Sequence, residues 1–312
     1  MIVWVTGARG FIGRNLSLYL ARQGQKVFGI GTGQWQEKDY KKFGIQKWLS
    51  LNLDNTDKSN ILNQIEKPDV LYHLAGGSSV GASLSNPFED FNKTINSAGW
   101  LVDWLKTNSL STSIVIASSA AVYGDGYQGL IDSEAKTKPS SPYGFHKLML
   151  EEFIRSYGQS FGINAVIVRL FSVYGPFLFK QLLWDLCNRI AAGSDSLELG
   201  GDGSELRDWT EISDIVRLLE ASSVLAAPSV PILNGGSGRA TTVKKVSEII
   251  LKKWDKDIPI NFSGLARVGD PYSLVSVPCS ISGSRFPFEV RIEKGISSYV
   301  EWFMENRSDG QS

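Results

Sequence analysis

The feature that most limits what this chain can fold into lies at its start. The short apolar run Ile2-Val3-Trp4-Val5-Thr6 passes at once into Gly7-Ala8-Arg9-Gly10-Phe11-Ile12-Gly13. Beyond it Phe11, Leu16 and Leu20 recur at helical spacing. A strand that turns through glycines into a helix has the form of a dinucleotide-binding unit. Gly7 permits the tight turn, and Gly10 lets backbone N–H groups approach a pyrophosphate. Gly13 lets helix and strand pack closely. Arg9, Phe11 and Ile12 complete the loop as candidate cofactor contacts.

The alternation continues. Residues 26–30, 48–51, 69–75, 113–118 and 164–170 read as strands, apolar throughout. Residues 59–66, 88–107 and 143–161 read as helices. Such a series predicts an α/β fold, a Rossmann-type doubly wound parallel sheet covered on both faces. From Phe171 the pattern loosens: helices over 180–192, 213–226 (with Ser213 as N-cap), 241–253 and 292–304, a Gly200-Gly201-Asp202-Gly203 turn, and a strand at 231–234. The expected division is a dinucleotide-binding domain over 1–170 plus about 208–235. A smaller, partly interleaved α+β substrate lobe takes about 171–207 and 236–304, and 305–312 form a frayed polar tail.

Composition narrows the partners. The chain has 312 residues, with 32 Lys+Arg against 32 Asp+Glu. Zero formal charge argues against nucleic acid as the main partner. Two histidines, and two cysteines (Cys187 and Cys279) far apart, argue against a metal site and for a reducing, cytoplasmic setting. The longest apolar stretch, 165–179, is broken by Arg169, Gly175 and Pro176, so no membrane span is expected. The N-terminus lacks a basic region and a cleavage pattern and reads as a strand.

Three further segments carry chemistry. Tyr143-Gly144-Phe145-His146-Lys147 places a phenol and an ammonium four residues apart, on one helix face. A phenol with a pKa of about 10 is a poor proton-transfer group at neutral pH, and a nearby Lys⁺ favours its ionised form. The stretch Ala117-Ser118-Ser119-Ala120-Ala121-Val122-Tyr123-Gly124 ends a strand where ligands bind an open parallel sheet. Ser119 is the candidate partner of the phenol; Ser118 is the alternative, placed nearer the cofactor. His73-Leu74-Ala75-Gly76 ends another strand in small residues that leave room for a flat ring; His73 itself reads as buried and hydrogen-bonded. Asn52 and Leu53, after the third strand, are candidate contacts as well. At the end of the second strand, where NAD sites place an acid on the adenosine ribose, this chain has Gly31. The bar to a 2′-phosphate is absent, with Arg9 or Lys38 to receive it, so the reading favours NADP over NAD.

Together the Gly-x-x-Gly-x-x-Gly loop, the Ser-Ser-x-x-Val-Tyr-Gly segment and Tyr-x-x-x-Lys resemble the extended short-chain dehydrogenase/reductases, the nucleotide-sugar epimerase/dehydratase family. The resemblance runs to about Trp302. It implies a nucleotide-diphosphate sugar as substrate and Tyr143, Lys147 and Ser119 as the catalytic set. It also implies Arg207 and Arg267 as diphosphate clamps. Ser172 stands where many relatives carry an asparagine that grips the diphosphate. Ala120-Ala121 replace the Asp-Glu pair of the family's 4,6-dehydratases, which argues against dehydration. A 4-keto-sugar reductase is the first expectation. A 4-epimerase with tightly bound NAD is the alternative, and a uronic-acid decarboxylase is a third. A non-catalytic dinucleotide-binding sensor or scaffold is opposed by the presence of tyrosine, lysine and serine together. Surplus apolar residues on the helices at 88–107 (Phe91, Ile95, Trp100, Trp104) and 143–161 (Phe145, Leu148, Met149, Phe153) imply a homodimer paired through both helices, as is common in the family.

Overall fold

The structure, a computed structural model, describes residues 1–52, 62–265 and 271–307. Leu53, Arg267 and the first three residues of the helix expected at 59–66 lie outside these residues; of the rest of that helix only Leu62 is helical. Seven parallel strands form the central sheet: β1 (Ile2–Thr6), β2 (Lys26–Gly31), β3 (Ile45–Ser50), β4 (Val70–His73), β5 (Ser113–Ser119), β6 (Asn164–Leu170) and β10 (Ile232–Gly235). Their spatial order is β10-β6-β5-β4-β1-β2-β3. The order reverses between β1 and β4, and at such a switch point the connecting helices part to leave a crevice.

Both faces of the sheet are covered, which is why its strands carry no polar alternation. Val3 and Val5 pack with Leu16 and Leu20 of the helix Phe11–Arg22 and with Ile215 and Leu219 of the helix Ile212–Ser222. Trp4, between them, faces the other way. It meets Trp104 of the helix Ser97–Asn108 at a ring distance of 5.4 Å. Leu150 and Ile154 of the helix Pro142–Phe161 complete that second core.

The second lobe is built on β7 (Ser172–Tyr174), β9 (Leu206–Glu211), β11 (Ala240–Thr242) and β13 (Ser273–Leu274), with β9 paired to each of the others. A two-stranded pair, β8 (Leu197–Leu199) with β12 (Ile260–Phe262), lies beside it. The helices Gln181–Ala191, Val243–Lys253 and Ile292–Asn306 enclose its core around Leu186, Ile250, Tyr299 and Phe303. The chain returns to the first domain only after Glu211, since β9 belongs to the second sheet; the boundary read at 208 falls inside it.

Other local readings need correction. β3 begins three residues before Trp48. The long helix at 88–107 is a continuous run from Pro87 to Asn108, interrupted by a π turn at Asn92–Asn96. The helix after β9 is capped by Glu211, whose carboxylate accepts from Ser213 N, so Ser213 is not the cap. The last helix continues through Glu305 to Asn306. Trp104 is core, not surplus surface.

Candidate functional site

The glycine loop forms a cradle at the switch point. Gly7 has φ +66°, and a side chain there would press on the backbone of Leu74 and Ala75 at 3.1 Å. A Cβ on Gly13 would stand 2.6 Å from Ala8 Cα, so helix and loop touch backbone to backbone. The helix starts at Phe11 with Gly10 as its N-cap, no side-chain cap and no acid in its first turn. The first N–H groups of a helix have no intrahelical partner, so those of Phe11 and Ile12 remain for an anion. Thr6 Oγ1 accepts from Leu74 N (3.1 Å) and Ala75 N (3.2 Å), tying β1 to β4. Its proton then goes to His73 Nδ1 at 3.0 Å. That arrangement suits a neutral imidazole, and burial beside charged Lys147 pushes the His73 pKa down to about 3. Space without Cβ atoms, free N–H groups and no carboxylate at the loop fit a dinucleotide pyrophosphate.

Next to the cradle stand Ser119, Tyr143 and Lys147. Ser141 caps their helix by accepting from Gly144 N at 3.2 Å, and Pro142 opens it. Gly144 is required: a Cβ would lie 2.5 Å from Ala121 O, so the helix start sits directly on the turn that follows Ser119. Ser83 Oγ accepts from Tyr143 N at 3.0 Å. Ser119 Oγ accepts from Ala121 N at 3.2 Å, and its hydroxyl lies close enough to the Tyr143 phenol to lower the phenol's pKa. Lys147 Nζ donates to Ala117 O at 3.0 Å and lies 5.9 Å from the Tyr143 ring centre. A Cβ on Gly76 would stand 3.4 Å from that ammonium, so Gly76 keeps the space beside it open.

The electrostatics differ from the simple expectation. Burial raises the Tyr143 pKa, the nearby Ser119 hydroxyl lowers it and Asp90 raises it; Lys147 is not among the groups that lower it. Burial brings the Lys147 pKa down to about 8, against the pull of Asp90 and Glu151. Asp90, which the sequence did not single out, is buried. Its Oδ2 lies 2.6 Å from His146 Nδ1. Thr94, in the π turn, accepts from Gly77 N at 2.9 Å and so fastens the loop after β4.

Ser118 takes a different place from the one expected. Its Oγ donates to Glu151 Oε1 at 2.5 Å, and the residue is 3% exposed. Neighbouring residues of a strand point to opposite faces, and Ser118 is committed to a buried network behind the site. There Glu151 pairs with Arg169 at 2.7 Å, and Arg169 NH1 donates to Tyr123 Oη at 2.9 Å. Tyr123 in turn donates to Asn234 Oδ1 at 2.6 Å. Arg169, buried and committed to Glu151 and Tyr123, holds this network together.

A sequence profile described as "NAD dependent epimerase/dehydratase family" matches residues 3–225. The chain belongs to this family. It is therefore an enzyme of the extended short-chain dehydrogenase/reductase type. An uncharacterized UDP-glucose epimerase of Bacillus subtilis (strain 168), YtcB, is 33% identical over 260 residues, covering 80% of this chain and 81% of that protein. The UDP-glucose 4-epimerase of Thermotoga maritima, solved with UDP-glucose, superposes with TM-score 0.88 at 20% identity, covering 98% of this chain and all of that one. The UDP-glucuronic acid 4-epimerase of Bacillus cereus, solved with UDP-glucuronic acid and NAD, gives TM-score 0.85 at 25% identity, covering 98% and 99%.

Against the family pattern, the end of β2 stands out. A Cβ on Gly31 would lie 2.6 Å from Trp48 Cη2, because the indole of the neighbouring strand fills that place. Trp48 Nε1 donates to Gly33 O at 3.0 Å, and Trp35 packs edge-on against Trp48 at 5.2 Å. Arg9 lies on the other side of Gly33: a Cβ there would be 3.2 Å from its NH1. Asn52 is exposed just past β3.

In the second lobe, Ser172 opens β7 directly after β6 and stands in register with Trp209. Arg207 NH1 donates to Leu206 O (3.0 Å) and to Tyr272 O (3.3 Å). Its neighbour Asp208 is buried and accepts from Ser237 N, Gly238 N and Ser276 Oγ, each at 2.8 Å, so it holds the lobe together. No helix of the described residues is long and apolar enough to cross a membrane.

Proposed function

We propose that this enzyme inverts C4 of a UDP-linked hexose or hexuronate through a transient 4-keto sugar. The glycine loop, Leu74, Ala75 and Gly76 hold the dinucleotide, which when bound supplies reversible hydride acceptance. Tyr143 takes the proton of the sugar C4 hydroxyl and later returns it. Ser119 orients that oxygen by hydrogen bonding, and Lys147 places positive charge beside the phenol. Ser172 and Arg207, on paired strands of the second lobe, receive the diphosphate. Two buried free cysteines and balanced charge favour a cytoplasmic setting.

The observation that carries this reading is the convergence of Tyr143, Lys147 and Ser119: Lys147 Nζ lies 5.9 Å from the Tyr143 ring centre, and the helix that bears both sits on the Ala120-Ala121 turn directly after Ser119. The site holds a group for moving one proton at the reacting oxygen and no acid–base pair for expelling water. Relatives named as UDP-sugar 4-epimerases support C4 inversion over net reduction. A 4-keto-sugar reductase, the first expectation from the sequence, is the second reading, and Gly31 favours it by permitting exchangeable NADPH. Incubation with UDP-glucose, UDP-galactose and UDP-glucuronate, followed by chromatography, tests the pair. Formation of a C4 epimer with no net change in nicotinamide absorbance supports the epimerase. Stoichiometric NADPH consumption on a 4-keto sugar, with no epimer from the UDP-hexoses, supports the reductase.

A further inference from the structure

We propose that Trp48 sets which dinucleotide this enzyme takes, by filling the place of the ribose-binding carboxylate so that the site accepts a 2′-phosphate at least as well as a free 2′-hydroxyl. The proposal rests on the dinucleotide-dependent reading above and deepens it. In a glycine-loop domain the residue ending the second strand, about 20 positions past the loop, grips the adenosine ribose: an acid binds the 2′-hydroxyl and repels a 2′-phosphate, whereas a nearby arginine accepts the phosphate. Here that residue is Gly31. Its lack of a side chain is imposed by the fold, because any Cβ would meet the Trp48 ring at 2.6 Å. The ring is not free to swing aside. Its N–H is bound to Gly33 O, and Trp35 buttresses it in a perpendicular contact.

The acids that follow β2 do not substitute for the missing one. Glu37 is paired with Lys41 at 2.5 Å and Asp39 with Lys42 at 2.9 Å. The charge that reaches this corner is positive. Arg9 lies against Gly33, whose φ of +80° and close contact exclude a side chain, and its guanidinium has no carboxylate partner among the described residues. Trp48 therefore removes the group that would select NAD, and Arg9 supplies one that a 2′-phosphate can engage.

The test is a competition. Protein is incubated with equal concentrations of NAD and NADP and freed of unbound nucleotide by gel filtration; the nucleotide released on denaturation is measured by mass spectrometry. Four proteins are compared, the unaltered enzyme, Gly31→Asp, Gly31→Asp with Trp48→Ala, and Arg9→Ala, with folding checked by circular dichroism. The unaltered enzyme is expected to carry NADP in at least equal amount to NAD. Gly31→Asp alone, forced against the indole, should lose total bound nucleotide. The double variant, with room for its carboxylate, should recover binding and shift the NAD:NADP ratio at least tenfold toward NAD. Arg9→Ala should lower the NADP share. An unaltered enzyme that carries NAD in more than threefold excess overturns the proposal, as does a double variant whose ratio stays within threefold of the unaltered one. Binding of neither nucleotide by the unaltered, folded enzyme would instead remove the dinucleotide-dependent reading on which the proposal stands.

Discussion

Asp90 Oδ2 lies 2.6 Å from His146 Nδ1, and His146 immediately precedes Lys147, so a buried carboxylate faces the proton-transfer pair through its neighbour. Asp90 raises the pKa of both Tyr143 and Lys147. Lys147 is protonated below about pH 8 and loses its charge as pH rises through that value. Turnover that needs the ammonium should fall on an alkaline limb near pH 8. Asp90→Asn keeps a hydrogen-bonding partner for His146 and removes the charge. Glu151 remains to support Lys147, so the limb should move down by about half a pH unit, not vanish. A pH–rate profile of the two proteins checks this; an unmoved limb would mean that Asp90 does not act on Lys147.

Tyr143→Phe keeps the ring and removes the transferable proton. Turnover should drop by at least about 100-fold, while bound dinucleotide, read by mass spectrometry, stays near the unaltered level. Near-normal turnover would remove Tyr143 from the proton transfer.

Behind the site, Glu151 and Arg169 form an ion pair whose side chains are 1% and 5% exposed. Removing one partner leaves a buried charge without compensation. Glu151→Ala should cost about 3–5 kcal/mol of stability by denaturant unfolding. A loss below about 1 kcal/mol would show that water or a rearranged network satisfies Arg169.

Leu84 and Phe88, on the short helices Val80–Ser85 and Pro87–Phe91, are exposed, as are Phe145 and Met149 on the helix against which both pack. Phe145 and Met149 belong to the homodimer contact expected from the sequence; of the residues expected on the other helix Phe91, Ile95 and Trp100 are half-buried and Trp104 is buried, and Leu84 and Phe88 are exposed in their stead. At micromolar concentration, sedimentation should show a particle of twice the 34.3 kDa chain mass, and Phe145→Glu with Met149→Glu should shift it toward one chain. Only single chains in the unaltered protein would refute the dimer.

The sheet and the cradle were legible because their signals are local. The β1 run and its glycines are contiguous, and Tyr143 and Lys147 share one helix face. What escaped depended on contacts across the chain. β3 starts at Ile45, but exposed Gln46 and Lys47 hide its onset in an apolar count. The π turn at Asn92–Asn96 leaves the helical pattern intact and appears only in the hydrogen bonding that aims Thr94 at Gly77. Ser213 looked like a cap because serine is a common one, while Glu211, two residues earlier, takes its N–H. Ser118 and Ser119 are adjacent in sequence, and only the helix packed beside them separates a buried network from the site. Gly31 reads in the sequence as a missing acid; the Trp48 ring that a side chain there would meet lies on the next strand.

The claim of C4 inversion is tested most directly with UDP-glucose deuterated at C4, incubated with the purified enzyme without added reductant and followed by NMR. The account predicts UDP-galactose that retains deuterium at C4, because the hydride taken from that carbon is the one returned to it. UDP-galactose with hydrogen at C4 would contradict it, and so would the absence of any epimer from UDP-glucose and UDP-glucuronate alike.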